Sequence, residues 1–527
     1  MLTSDLNKAI AMKRINYLMI LAGLGLAIGS CKKDFVTRYP AGQVNEGNFF
    51  KTTADFQEAL TGAYGPLRDA ANVAYAMEEM RSDNTHYYYN TKDRGGATSE
   101  QLADFLDNSA NPTVEALWKA DYSGVQRTNV ILDKMETPPE DMADTVKSQI
   151  IGETKALRAH YYFELVRCYG ALPLYLHEVT GPQNAIISHR SPVDSVYALI
   201  VSDLTDAVSK LAPPSFPQSG RITRGMAATE LALVYLTQHQ YDKATPLLQS
   251  VTQMGYNLLP DYASVFDPGN KNNKESIFEV QYKAGTDNQA SQFIYTFIPN
   301  MPDVSNILGI NADNTEGGWN VPTNDILHSY ESGDKRLDAS IGIIKGSLDA
   351  STDFQPDKVM SILDPDTTGE AGVIYQKFDK KVYHVPLNST LQYNTNDNWP
   401  VYRYSDVLLM LAESLNEQGQ PGAALPFLNQ VRQRAGLTAS SVTDQSALRD
   451  TIAHERRIEL AFENKRWFDL VRTGKAISVM TAYGIIQKQT LPYLLPQSYN
   501  VTETKLIYAI PSREVQVNPG LGQNPGY

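Results

Sequence analysis

Through residues 53–256 apolar side chains recur every three to four positions, the spacing that gives an α-helix one buried face. Helices are predicted over Thr53–Asp69, Thr113–Met135, Val146–Tyr169 and Pro192–Leu211, and again over Leu448–Val471. Two stretches match one another. In Met226–Tyr256, Ala232, Tyr235, Ala244, Leu248 and Val251 fall at alternating small and large packing positions of a helix–turn–helix. In Tyr404–Leu437, Ala412, Leu415, Ala424, Leu428 and Val431 repeat that spacing. Small alanines let two antiparallel helices approach closely, and the large residues fill the space beside them.

That spacing resembles a tetratricopeptide unit, occurring twice and far apart, so the array must carry a long insertion. Between about 257 and 400 the helical period gives way to Gly, Asn, Asp and Pro, with short β-like runs such as Ser276–Gln281. The expected fold is mainly α: a tetratricopeptide-like helical repeat scaffold with a large loop-rich insertion and few short strands. Residues 31–256 form an N-terminal helical region with the first repeat units. Residues 257–527 hold the insertion, the second unit at about 404–437, and a C-terminal helix and tail. Function is expected mostly on the loops, which a rigid scaffold positions.

The first thirty residues read as an address. Lys13 and Arg14 precede an apolar stretch, Tyr17–Ile28, too short for a membrane span of about 20 residues but suited to a secretory signal. Ile28-Gly29-Ser30-Cys31 resembles a bacterial lipobox, which makes Cys31 the lipidated first residue and 1–30 a lipoprotein signal peptide. Translation from Met12 would leave a signal of ordinary length. Lys32-Lys33-Asp34 resembles the surface-export tag of Bacteroidetes-type lipoproteins. The expected location is the cell surface of the outer membrane, with the lipid as the only membrane contact.

Lys and Arg number 46 against 59 Asp and Glu, a net charge of −13 that argues against a nucleic-acid partner. Two cysteines exclude a disulfide framework and a four-cysteine zinc site, and Cys168, in a helical pattern, is expected to be a buried thiol. Tyrosines number 30 against 16 phenylalanines, which hints at recognition of a half-polar ligand.

Four blocks resemble the SusD/RagB family of surface glycan-binding lipoproteins. They are Lys155–Phe163 running on to Tyr169-Gly170-Ala171-Leu172-Pro173; Tyr402–Met410 ending at Ala412-Glu413; Glu455–Glu463 ending at Arg466-Trp467-Phe468-Asp469-Leu470; and Gln523-Asn524-Pro525-Gly526-Tyr527. The resemblance implies no catalysis, no cofactor, an oligosaccharide or polysaccharide ligand, and a SusC-like TonB-dependent outer-membrane transporter as partner. The rival expectation is a protein-interaction lid of a transporter, with peptide or other non-glycan cargo.

The charged run Glu455–Arg472 is the segment most like an active site. Glu455 and Glu459 share a helix face, near the carboxyl separation glycoside hydrolysis uses. The interleaved arginines favour ionised carboxylates, the opposite of what a general acid needs. Arg456, Glu459, Glu463, Arg466 and Asp469 are therefore expected to form a structural ion-pair ladder. No zinc-protease helix, nucleophile elbow or phosphate loop is present. Asp364-Pro365-Asp366-Thr367-Thr368-Gly369 opens like a calcium loop but has Tyr375 where the bidentate acid belongs, so no metal is expected.

Glycan binding calls for exposed aromatic rings beside planar hydrogen-bonding groups. Two predicted loops supply them: Asp83, Asn84, Tyr87, Tyr88, Tyr89, Asn90 and nearby Arg94 in one, and Trp319 and Asn320, behind Gly317-Gly318, in the other. Three consecutive tyrosines cannot all face one core. Trp118 and Trp467 lie in helical patterns and are expected in the core, and Trp399 at the start of the second repeat helix.

Overall fold

Each helix of the scaffold packs on the next. Helix α1 (Gly65–Glu78) lies against α2 (Pro112–Lys134), α2 against α3 (Asp144–Tyr169), and α3 against α4 (Val193–Lys210). The series continues through α5 (Arg224–Thr237) and α6 (Tyr241–Thr252). Helix α6 then packs on α7 (Tyr404–Glu417), across the whole insertion, and α7 carries α8 (Pro421–Arg434) and α9 (Gln445–Glu459). The insertion thus leaves the helical stack unbroken. The computed structural model describes residues 49–90, 97–187, 189–312, 317–350, 353–364, 371–385 and 391–527. Phe56–Tyr527 form one unit; in the other, Met1–Asp55, the described residues include Asp55, whose carboxylate accepts the Lys51 and Thr52 N–H groups at 2.8 Å. The signal segment, Cys31, Arg94 and most of the calcium-like loop lie outside the described residues.

The packing follows from residue size. Ala232, Ala244, Ala412 and Ala424 are wholly buried at the helix–helix seams. Between α2 and α3 the approach is closer still: a Cβ on Gly124 would sit 2.2 Å from the Tyr161 ring. At the α6–α7 seam the Ser414 hydroxyl donates to the Tyr241 carbonyl at 2.9 Å and lies 2.7 Å from the Thr245 hydroxyl.

Two expected helices are broken in the structure. The one expected over 53–69 ends at Ala63, and α1 starts afresh at Gly65 with Pro66 in its first turn, where the missing N–H is harmless. The one expected over 448–471 stops at Glu459 and resumes as α10 (Arg466–Arg472). Phe462 and Asn464, at φ of 69° and 60°, turn the chain between them. Glu79 stabilises that turn from outside, its carboxylate accepting the N–H groups of Phe462 (3.1 Å) and Asn464 (2.9 Å). An apolar period alone cannot show such a remote cap.

Strands β2 (Ser276–Val280) and β7 (Trp399–Arg403) pair antiparallel and close the insertion at its base. Inside it, β4 (Ile341–Leu348), β5 (Phe354–Ser361) and β6 (Val373–Asp379) form an antiparallel sheet in the order β5-β4-β6 that the pattern had not singled out. The C-terminal block docks on the end of α3: Asn524 donates to the carbonyls of Tyr169 (2.9 Å) and Tyr508 (2.7 Å). Among the described residues no helix is long and apolar enough to cross a membrane.

Candidate functional site

The two aromatic loops, more than two hundred residues apart, meet in a two-residue ladder. Strand β1 (Thr85–His86) pairs antiparallel with β3 (Val321–Pro322). The ladder continues on both sides: Tyr88 N–H donates to the Gly318 carbonyl at 2.8 Å, and Thr323 N–H to that of Asn84 at 2.9 Å. Glycine is required at this crossing. A Cβ on Gly317 would lie 1.9 Å from the Ile298 carbonyl oxygen, and Gly318 adopts φ +93°.

The ladder sends the three tyrosines to three places. Tyr87 is buried against Met80 and Ala103, its hydroxyl donating to Asp104 at 3.0 Å. Burial, with the Asp104 charge, pushes that phenol far above its usual range. Tyr88 is half-buried, its hydroxyl receiving the Lys377 N–H at 2.6 Å and so fixing the loop to β6. Tyr89 faces outward at 37% exposure and stacks on Tyr493, ring centroids 4.1 Å apart and planes 7° from parallel. Trp319 is half-buried behind them, 6.1 Å from Tyr87, which itself lies 5.9 Å from Tyr493. The result is a continuous aromatic edge, Tyr89–Tyr493–Tyr87–Trp319, with its outermost member in solvent. A preformed face of this kind suits the C–H side of a pyranose ring.

Tyr493 escaped the sequence reading. It stands in Leu491-Pro492-Tyr493-Leu494-Leu495-Pro496, after helix α11 (Ala476–Thr490). Prolines on both sides of an aromatic, past a helix end, mark a turning surface segment, and that was the available signal.

The planar polar candidates are placed otherwise than expected. Asp83 is buried, bound in a two-bond pair to Arg466 at 2.8 Å and paired with Arg457 at 3.1 Å. Asn84 is buried too, donating to Glu79 at 3.0 Å and accepting from Arg457 at 2.8 Å. Asn320 is wholly buried at φ 52°, its carboxamide without a hydrogen-bond partner among the described residues. None of these three reaches solvent, so none can meet a glycan hydroxyl. Their surroundings take them inward because each flanks the ladder on its core side. Asn90 is half-buried next to Tyr89.

The charged run is an ion-pair network, but not a ladder along one helix. Glu459 lies among three guanidiniums, with Arg336 at 3.1 Å, Arg403 at 3.0 Å and Arg434 at 2.5 Å. Glu463 pairs with Arg403 and Lys381, both at 2.7 Å. Arg456 spans the helix break, reaching Asp469 at 3.3 Å as well as Asp406 at 2.7 Å. Burial alone would raise the Glu459 carboxyl, but Arg434, Arg403 and Arg336 outweigh it and hold it far below the usual range. Glu455 departs from the expectation: burial outweighs Arg336 and Arg432 and raises it. Both carboxylates are almost completely buried, so neither can touch a substrate. Among the described residues no group of His, Cys, Asp or Glu is arranged to hold a metal ion.

Trp118, Trp399 and Trp467 are all buried. Trp399, at the start of β7 and just ahead of α7, packs against Phe293 and Phe297.

Two family models cover most of the chain: "SusD family" matches residues 274–527, and "Starch-binding associating with outer membrane" matches 43–236. A SusD-like protein of Formosa agariphila is 28% identical over 97% of this chain and 98% of its own length. The starch-binding protein SusD of Bacteroides thetaiotaomicron is 22% identical over 76% of each chain. Among solved structures, a laminarin-binding SusD-like protein superposes with a TM-score of 0.72 at 27% identity, covering 91% of this chain and all of that one. With a mainly α scaffold of matching form and family blocks running to its last residue, the chain belongs to the SusD/RagB family.

Proposed function

We propose that this protein binds oligosaccharide or polysaccharide on the cell surface and passes it to a SusC-like TonB-dependent transporter. The observation that carries the reading is the exposed Tyr89–Tyr493 stack, rigidly mounted on the β1–β3 ladder and continuous with Trp319. The starch-binding and outer-membrane terms of the matching family model, and the laminarin-binding structural relative, support the ligand class and the location. The protein acts by binding rather than catalysis, since its most enzyme-like carboxylate pair is buried among arginines. A lipid on Cys31 anchors it. In cells lacking the transporter, Cys31→Ala protein is expected in the soluble fraction, and continued outer-membrane fractionation would refute the anchor.

The site is tested in native gels containing a polysaccharide panel. Retardation by one polymer, weakened in Tyr89→Ala/Tyr493→Ala, is expected. Exposed Ile485, Ile486 and Leu495 favour the rival reading, an apolar contact with a protein partner or peptide cargo. Stable transporter co-purification with no polymer retardation would select it.

A further inference from the structure

A cavity of about 480 Å³ lies between α2, the chain that follows α3, and α12 (Ser512–Val517). It shares no residue with the Tyr89–Tyr493 edge, and its size suits a small ligand, for which sites run to about 300–1,000 Å³. Its wall is aromatic. Trp118 and Tyr122 lie one turn apart on α2 with ring centroids 4.7 Å apart, and Tyr175 meets Tyr122 edge-on at 5.9 Å and 88°. Both tyrosine hydroxyls are committed to backbone, Tyr122 donating to Pro173 at 3.0 Å and Tyr175 to Ala185 at 2.7 Å. The rings are therefore held in place, and what they offer the cavity is carbon surface.

The lining also carries polar side chains, Lys119, Ser123 and Gln126 from α2 and Glu514 and Asn518 from α12 and the residue after it. Of these, neither the Glu514 nor the Ser123 side chain has a hydrogen-bond partner among the described residues. Burial above all raises the Tyr122 and Tyr175 phenols; the Glu514 charge adds to it at Tyr175 and, after Tyr162, Tyr175 and Asp121, at Tyr122. A purely apolar occupant would strip water from the carboxylate and the hydroxyl and return nothing. A saccharide matches both kinds of lining, with C–H faces for the rings and hydroxyls for the acceptors.

We infer that this cavity is a second saccharide-binding site, in which Tyr122 and Tyr175 pack against sugar C–H surface and Glu514 accepts from sugar hydroxyls. The inference rests on the glycan-binding reading above. Two sites on one chain would grip a polymer at two points, and the second contact, being intramolecular, would raise avidity well beyond either site alone.

The test uses the purified protein in native gels containing laminarin, amylopectin, xylan or mannan. Glu514→Ala/Tyr175→Ala is expected to weaken retardation by the polymer that binds wild type by about tenfold. Combined with Tyr89→Ala/Tyr493→Ala it should abolish the retardation that remains in either double variant. Glu514→Gln alone, which removes charge without removing volume, should show a smaller loss and covers the case in which the double variant fails to fold. If folded cavity variants migrate as wild type does, the second site is refuted while the first stands. If no polymer retards wild type, both fall together.

Discussion

Asp83 and Tyr89 lie on one short run of chain and have opposite surroundings. Asp83 is buried under two arginines from the α9–α10 region, whereas Tyr89 stands in solvent against another tyrosine. Between them the β1–β3 ladder turns successive side chains inward, sideways and outward. The anchoring end consists of charged groups desolvated together, which are costly to break. The presenting end consists of rings whose loss removes little buried structure. In a surface-binding protein the charged residues beside an aromatic loop can therefore be its foundation rather than its hydrogen-bonding partners for ligand.

The contrast is broken most severely at the foundation. Glu459→Ala would leave Arg336, Arg403 and Arg434 buried without their shared counter-charge, a loss of about 3–5 kcal/mol in urea unfolding. A midpoint within error of wild type would show that the network does not hold the helices together. The carboxylates of Asp83, Glu459 and Asp469 are all held below the usual range: burial opposes this, and their arginine partners prevail. Such depressed acids stabilise the fold above the unfolded carboxylate range, near pH 4, and that contribution is lost as pH falls through their folded values.

An opposite effect is expected one strand away. Asp379, at the end of β6, is pushed up to about 8, by burial above all and then by the neighbouring Glu79 and Glu463 charges, while Lys381 opposes the rise. Glu79 is raised by burial to about 7. The unfolded chain ionises these acids from about pH 4 and the folded chain only near 7–8, so their contribution to stability falls across that interval. Asp379→Asn should flatten the fall and gain about 1–3 kcal/mol at pH 8.5, with little change at pH 5. Equal Tm shifts at both pH values would contradict the assignment.

At the presenting end the expected change is smallest in stability and confined to binding. Tyr493→Ala should weaken polysaccharide binding about tenfold, roughly 1.4 kcal/mol, and leave Tm within about a degree. Asp83→Ala should lower Tm and affinity together, because the loop loses its anchor. A Tyr493→Ala variant with wild-type affinity would remove the stack from the site.

The scaffold was legible because helix packing is periodic. The alanines at 232, 244, 412 and 424 announced two close helix pairs, and those residues are wholly buried. The two aromatic segments stood out by composition, yet nothing in either pointed to the other, since a two-residue ladder has too few residues for a pattern. The arginine-rich run was recognised as an ion-pair element, but its partners Arg336, Arg403, Arg434 and Lys381 come from elements distant in sequence. Tyr493 entered the site by the same route, from a proline-bracketed segment that lands on Tyr89 only once the chain is folded.

The sequence by itself determined the buried faces of most scaffold helices, the interruption of the array, the family, and two of the loops that carry aromatic rings. These are properties of local spacing or of motif, and each repeat unit, block or loop that carries them is complete within a few dozen residues. Only the tertiary structure decided which side chains of those loops face out, because burial depends on what the remainder of the chain brings alongside. It turned Asp83, Asn84 and Asn320 inward, left Tyr89 at the surface, and supplied Tyr493 to complete the face.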